Sequence, residues 1–299
     1  MGIQRGFPNL RTVREALRLL IPRVLKKSLP PIPDIGWSGW SEYDPQEPLL
    51  SVQGIARKIA SVYQLDIGTI IVSFEADTDF AGRIELHGGR EFFIELNSKL
   101  KSNPRNIAAT LGHEVAHIFL NRHGLRLKPD SANEILTDIA AALYGFGVLM
   151  ADTFVISETR TPAPGGVQVT ESRRKIGYLT ADELGYVMTR MGLGWALDQL
   201  TSHAARVAFR EGRDRAQSEL SAPPLTTAGP IDRFVYVCRR RCYTWLHNEQ
   251  ILTLHRHYAF QNGGVVFRCP ICTQAIRLPP GKRVNARCPN CESDVESRT

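Results

Sequence analysis

Apolar residues recur every three to four positions over several stretches of this chain, and each such stretch predicts an amphipathic helix. One of these helices should begin at Asn103-Pro104, because a capping residue there precedes proline at the first helical position. It should end near Gly124. The predicted helices span residues 10–27, 49–63, 103–122, 131–150, 180–190 and 196–219.

Shorter stretches carry the pattern of β-strands. Residues 69–74 form a β-branched run, and residues 83–86 and 91–96 flank Gly88-Gly89, which predicts a hairpin with His87 in its turn. The segment 157–175 is rich in Thr, Pro, Gly and charged residues and is predicted to be a loop or insertion. Residues 29–48 contain too much Pro and Gly to continue a helix and should drape over the core.

Length and charge limit the classes of protein. With 299 residues and 43% hydrophobic content, the chain can form one sizeable core and a small additional module. A net charge of +7 favours anionic partners without naming one. Basic residues interrupt the N-terminal apolar pattern, so we predict no signal peptide. Residues 135–150 are too few for a membrane span and include Asp138. We expect a cytoplasmic protein without a membrane partner.

The sequence HEVAH lies in the middle of the predicted helix 103–122. His113 and His117 are four residues apart, so both imidazoles project from one face and can meet a single zinc ion. Glu114 is offset from that face. Its carboxylate is therefore expected to act as general base, taking a proton from a metal-bound water as the water attacks a carbonyl.

The next predicted helix carries NEILTD, and the pair HExxH and NExxxD resembles the gluzincin metallopeptidases. The resemblance covers about residues 50–150 and is closest to the compact minigluzincins. It implies that Glu134 is the third zinc ligand and that Asp138 hydrogen-bonds the outer nitrogen of His113. It also implies that the strand EFFIELN is the sheet edge along which an extended substrate lies. A carboxylate behind a ligating histidine fixes its tautomer, which agrees with this role for Asp138.

Other interpretations of these residues remain open. Ser131 and Glu134 also form the pattern of a capping box, in which Glu134 would bond the start of the helix. HEVAH could equally be a solvated turn of helix. Against this second alternative, apolar neighbours such as Val115 and Phe119 predict partial burial, and buried polar groups need a partner.

A gluzincin also needs a group that stabilises the oxyanion of the tetrahedral intermediate. Tyr178, His203 and Tyr144 are the candidates on this chain. For Tyr178 itself, the interpretation that we favour is a buried structural tyrosine. His123 is expected at a helix end, where it suits the negative pole of the helix dipole.

All six cysteines lie in the last quarter of the chain, and four of them form two CxxC pairs. Cys269, Cys272, Cys288 and Cys291 have the spacing of a tetrahedral structural zinc site, and the segment resembles the zinc ribbons. Basic residues around it suggest a protein or nucleic-acid partner. They are Arg268, Arg277, Lys282, Arg283 and Arg287.

A second metal site at Cys238 and Cys242 is a further possibility, with ligands from His247, His255 and His257. Free buried thiols are the alternative. The spacing of these residues matches no established metal-binding pattern, which favours free buried thiols.

Together these patterns predict an α+β fold, with a small antiparallel-type sheet, a two-helix zincin core and a zinc ribbon. The predicted regions are an N-terminal segment (1–48), a peptidase domain (49–220), a linker (221–230) and a ribbon-containing module (231–299). The predicted function is that of a zinc metallopeptidase of the endopeptidase class, with one catalytic and one structural zinc and a polypeptide substrate. The alternatives are a non-catalytic zinc-containing regulator that binds protein or nucleic acid, and a peptidase that acts on a DNA-bound protein.

Overall fold

A computed structural model describes residues 5–31, 38–76, 78–86, 89–153, 155–163, 166–226, 228–246 and 257–299, with the backbone alone over 155–163 and 166–174. The described chain is α+β, which confirms the predicted fold class. Its helices are α1 (Leu10–Leu25), α2 (Pro48–Val62), α3 (Pro104–Arg122), α4 (Asp130–Ala141), α5 (Gly147–Asp152), α6 (Ala181–Arg190), α7 (His203–Leu220) and α8 (Pro230–Leu246).

The described strands form four small sheets. They are β1 (Thr69–Glu75), β2 (Gly82–Glu85), β3 (Glu91–Asn97), β4 (Val155–Ala163), β5 (Gly166–Arg174), β6 (Tyr258–Gln261), β7 (Gly264–Arg268), β8 (Ala275–Leu278), β9 (Arg283–Arg287) and β10 (Asp294–Arg298). The first sheet has the order β1-β3-β2, and β6-β7-β8 forms a second three-stranded sheet. Strands β4 and β5 pair with each other, as do β9 and β10.

Helix α3 lies at the centre of the core, and both its ends follow from sequence. The Asn103 side chain accepts a hydrogen bond from the Asn106 amide, and Pro104 occupies the first turn. His123 is the C-cap, as predicted, and Gly124 follows with a φ of +61°. Because α3 is buried along most of its length, it contacts α2, α4, α5 and β2. Polar side chains on this helix are therefore placed inside the protein.

The first sheet confirms the predicted hairpin but corrects the predicted edge. Strands β2 and β3 pair antiparallel, whereas β1 and β3 pair parallel, so β3 is the central strand. The strand EFFIELN is therefore not an edge. Its residues Phe92, Ile94 and Leu96 are buried, and it pairs on both sides. The edge beside α3 is β2, whose Arg83 and Glu85 are exposed to solvent, as is usual for an edge strand. His87 and Gly88 lie outside the described residues.

The helix predicted over 131–150 is divided in two. Helix α4 ends at Ala141, and the backbone leaves helical geometry at Tyr144 and at Gly145, where φ is +105°, before α5 begins. The run Asp130–Asp152 is long and apolar enough to cross a membrane by length and composition, but 89% of its apolar window is buried inside the protein. Such burial is typical of a core helix in a soluble protein.

Two other predicted segments differ from the structure. The loop predicted over 157–175 is largely the antiparallel pair β4–β5, which agrees with the β-branched residues spread along both strands. The helix predicted over 196–219 is interrupted after Gln199, and α7 begins only after Ser202, whose hydroxyl accepts from the Ala205 amide. The apolar pattern continues on both sides of Ser202, but the helix begins after this residue because the serine caps its first turn.

The cysteine-rich C-terminal strands pack against the helical part of the chain. The Thr273 hydroxyl donates to the backbone oxygen of Arg14, and Asn290 donates to the backbone oxygen of Arg18, so α1 contacts both CxxC turns. The segment predicted as a linker is packed as well, since Leu225 is buried and bridges to Ser297. The division of the chain into domains stays a prediction.

Candidate metal-binding site

Three side chains from two helices meet beside α3. His113 and His117 project from the same face of α3, one turn apart, and Glu134 reaches them from the first turns of α4. The two histidine Nε2 atoms are 3.2 Å apart, and Glu134 Oε2 lies 3.2 Å from His113 Nε2 and 3.3 Å from His117 Nε2. The three donor atoms thus form a nearly equilateral triangle.

The triangle has the size that zinc requires. Tetrahedral bonds of about 2.0–2.1 Å place neighbouring ligand atoms about 3.3–3.4 Å apart, which matches the three separations. The charges also favour a cation. Burial lowers the pKa of His113, but its hydrogen bonds with Asp138 and Glu134 outweigh burial and raise that pKa to about 10. Burial raises the pKa of Glu134, but its hydrogen bonds with His113 and His117 outweigh burial and lower that pKa to about 2. The donor set therefore fits a divalent metal ion.

Asp138 lies behind the first histidine. Its Oδ1 is 2.7 Å from His113 Nδ1, and the carboxylate is fully buried on α4. Its other oxygen, Oδ2, accepts the backbone N–H groups of Tyr178 at 2.5 Å and Leu179 at 2.8 Å. With Nδ1 donating to Asp138, a metal ion that takes the place of the Nε2 proton would bind the His113 lone pair on the side of the other donors.

Thr137 has the corresponding position behind the second histidine, and the sequence motifs did not predict this role. Its Oγ1 is 3.3 Å from His117 Nδ1 and donates to the backbone oxygen of Asn133 at 3.0 Å. Since the hydroxyl hydrogen is used by Asn133, the oxygen is available to accept from His117. The spacing in the sequence could have identified Thr137, because residues 134, 137 and 138 share one face of a helix.

Glu114 lies close to the triangle without belonging to it. It is 5% exposed and lies against Thr110 and β2, where a Cβ added at Gly82 would be 2.9 Å from Glu114 Oε1. Burial raises the pKa of Glu114 above its ordinary value, and the charges of His113 and His117 oppose this rise. A buried carboxylate with a raised pKa beside a cation site is suited to proton transfer near neutral pH.

The structure excludes the two structural alternatives for these residues. The N-cap of α4 is Pro129 and no side chain caps it, so Glu134 does not form a capping box with Ser131. His113 is only 7% exposed, so HEVAH is not a solvated turn of helix. Both residues instead face other polar side chains inside the protein.

A cleft of about 900 Å³ opens over the triangle and over Glu114. Residues 79–84, which include most of β2, form one wall, and α3 and the start of α4 form the floor. Residues 175–178 also line the cleft. The cleft therefore exposes the donor atoms of the triangle beside β2, the edge strand of the described sheet.

The three oxyanion candidates are placed very differently. Tyr178 lines the cleft, and its ring lies 6.3 Å from the His113 ring at an interplanar angle of 25°. It is 51% exposed, so the prediction of a buried structural tyrosine is wrong. Tyr144 is buried in the core and donates to the backbone oxygen of Pro30. His203 is the exposed first residue of α7, and neither it nor Tyr144 is among the described residues that line the cleft.

The four ribbon cysteines form a second donor set. All four are buried, and the Sγ atoms of Cys269 and Cys291 are 3.8 Å apart, while those of Cys272 and Cys288 are 3.7 Å apart. Zn–S bonds of about 2.3 Å place tetrahedral sulfurs about 3.8 Å apart, so this set fits zinc as well. With four protein donors the site leaves no position for a substrate, which is typical of structural zinc.

The remaining cysteines show no such cluster in the described part of the chain. Cys238 and Cys242 are both exposed on α8, so the prediction of buried thiols is wrong. His257 Nε2 contacts the Ser218 hydroxyl at 3.2 Å, and His247 and His255 lie outside the described residues. Among described residues, only the His-His-Glu and four-cysteine groups have donor atoms close enough to share an ion.

Comparison of the chain with known protein families, with curated proteins and with solved structures finds no match in any of the three. Two potential metal-binding sites are therefore what the structure itself establishes.

Proposed function

We propose that this protein is a cytoplasmic zinc-dependent peptidase of the gluzincin type. The observation that carries the proposal is the donor triangle of His113, His117 and Glu134, whose atoms lie within 3.3 Å of one another in a cleft that Glu114 also lines. A purely structural metal site has no need of an additional buried carboxylate facing a cleft. The combination therefore favours hydrolysis over a scaffolding role.

His113, His117 and Glu134 would hold the zinc ion. Zinc supplies Lewis-acid polarisation of a carbonyl and makes water more acidic. Glu114 would take the proton from the attacking water and pass it to the leaving amine, and its raised pKa suits both steps. The Tyr178 hydroxyl is the best placed of the three candidates to donate a hydrogen bond to the developing oxyanion.

The substrate proposed is an extended polypeptide. Strand β2 pairs with β3 on one side, and its other side faces the cleft. A peptide lying along β2 would gain main-chain hydrogen bonds with little demand on its sequence. A substrate bound in this way would lie against Gly82, close to Glu114 of α3.

The test combines zinc counting with proteolysis of an unstructured protein. Wild type should bind two zinc ions, and the double variant His117→Ala, Glu134→Ala should keep only the ribbon ion. Glu114→Gln should keep both ions and lose cleavage. If Glu114→Gln cleaves as fast as wild type, or if wild type binds one ion, the proposed mechanism is wrong.

A partner for the ribbon is a second proposal, either a protein or a nucleic acid. The charges on this surface are partly neutralised, because Arg283 pairs with Glu296 and Arg287 pairs with Glu292. Arg277 and Lys282 are exposed and would make the contact. Binding of labelled duplex DNA at two salt concentrations separates the possibilities, since contacts to phosphate weaken steeply with salt.

A further inference from the structure

Residues 175–179, here called the strap, cross from the end of β5 to the start of α6 and form one wall of the cleft. Hydrogen bonds hold the strap at several points. The Ile176 amide donates to the Thr153 hydroxyl at 2.9 Å. The amides of Tyr178 and Leu179 both donate to Asp138 Oδ2. The Lys175 ammonium donates to the backbone oxygens of Tyr178 at 2.6 Å and Leu179 at 3.2 Å. Its backbone path is therefore set by two charged side chains.

Gly177 allows the strap to approach Asp138 closely. Its φ is +87°, a conformation that favours glycine, and a Cβ at this position would be 2.7 Å from Asp138 Oδ1 and 2.8 Å from Oδ2. A side chain here would have to displace either the strap or the carboxylate. Since the same carboxylate contacts His113 Nδ1, moving it would also disturb the position of His113 in the donor triangle.

The result of these contacts is the placement of Tyr178. Its backbone is fixed on both sides, by Asp138 at the N–H and by Lys175 at the carbonyl. The side chain is left half-exposed in the cleft, with its ring over that of His113. A tyrosine on an untethered loop would lose this position in part of the population.

We propose that Lys175 and Gly177 are positioning residues that hold Tyr178 over the His113–His117–Glu134 cluster, with Asp138 as an anchor shared by the strap and the first histidine. The structural part of this proposal concerns the folded chain alone. Its consequence for turnover rests on the proposed peptidase function.

The first test measures hydrogen–deuterium exchange of the amides in the strap. In wild type the Tyr178 and Leu179 amides should exchange slowly, because they donate to a buried carboxylate. In Lys175→Met they should exchange about tenfold faster or more, the effect of losing charge-assisted hydrogen bonds. Lys58→Met, an exposed lysine on α2 paired with Glu42, is the control and should leave the strap unchanged. Equal exchange in wild type and Lys175→Met would overturn the role of Lys175.

The second test compares two glycines with positive φ. Gly177→Ala and Gly192→Ala both introduce a side chain in the left-handed region, but a Cβ at Gly192 meets nothing within 4 Å. Gly177→Ala should lower zinc affinity at the cluster by about 10–100-fold, the usual effect of disturbing a ligand's outer partner. Gly192→Ala should bind zinc like wild type. Equal affinities of the two variants, by competition with a chelator, would show that Asp138 is not a shared anchor.

The third test is kinetic. Lys175→Met and Tyr178→Phe should each lower kcat with KM nearly unchanged, and the double variant should be no slower than Tyr178→Phe alone. Independent, multiplying losses would mean that Lys175 does not act through Tyr178. If wild type shows no peptidase activity, the proposed function fails, while exchange and zinc affinity still decide whether the strap is anchored as described.

Discussion

Replacing Thr137 by valine tests whether its hydroxyl orients His117. Valine has nearly the same shape, and Thr137 is fully buried, so packing should change little. The substitution removes the oxygen 3.3 Å from His117 Nδ1 and the hydrogen bond to the Asn133 carbonyl. His117 then loses the partner that keeps its hydrogen on Nδ1 and its lone pair on Nε2.

The magnitude can be worked from these contacts. Loss of the partner of a ligating histidine typically lowers metal affinity by about 10–100-fold. Since each tenfold change is worth about 1.4 kcal/mol, zinc binding at the cluster should weaken by about 1.4–2.8 kcal/mol. The free energy of unfolding of the metal-free protein should fall by about 1 kcal/mol for the hydrogen bond to Asn133.

The assay is competition for zinc with a chromophoric chelator, with the ribbon site counted in every variant. Thr137→Ser keeps the hydroxyl and should bind zinc nearly as wild type does, whereas Thr137→Val should not. Wild-type affinity in Thr137→Val would refute the orienting role. Equal losses in both variants would also contradict this role, because Thr137→Ser keeps the hydroxyl that contacts His117.

Three further predictions concern other parts of the molecule. Gly82→Ala should lower activity about 100-fold by displacing Glu114 or β2, with zinc content unchanged. Normal activity in this variant would mean that Glu114 and β2 accommodate the added methyl group. Cys272→Ser should lose the ribbon zinc and lower the melting temperature, and an unchanged zinc content would contradict the four-cysteine site. For Glu219, burial raises the pKa, but the Tyr186 hydrogen bond and nearby arginines outweigh it and lower the pKa below 4.5. Its ionised form therefore stabilises the fold at neutral pH, and this contribution disappears as the pH falls through the lowered pKa. Urea unfolding should show Glu219→Gln less stable than wild type at neutral pH and progressively closer to it below pH 4.5, and a constant difference would rule this out.

Local signals predicted the elements that they control directly. Asn103-Pro104 set the start of α3, and apolar spacing located α1, α2 and α6. Spacing alone also brought His113 and His117 to one face, because positions four apart on a helix are neighbours. Each CxxC pair likewise lies within one short turn, whereas the contact between the two pairs depends on how the C-terminal strands pack.

Local sequence patterns did not predict the features that depend on how helices and strands pack together. The central place of β3 follows from its pairing with β1, a strand more than ten residues away, and periodicity carries no information about such pairing. The strap illustrates the same limit. Lys175, Gly177 and Tyr178 lie in a segment without periodic pattern, and they meet Asp138 only because α4 and the strap pack together.

The sequence by itself therefore determined the α+β class, the helices α1, α2, α3 and α6, the His113–His117 pair and the two CxxC pairs, because each depends on residues close together in the chain. Only the tertiary structure decided that Glu134 faces the histidines instead of capping α4, that β2 forms the cleft edge, and that Tyr178 rather than Tyr144 lines it. These choices depend on contacts between distant segments, which are set by packing of the whole core.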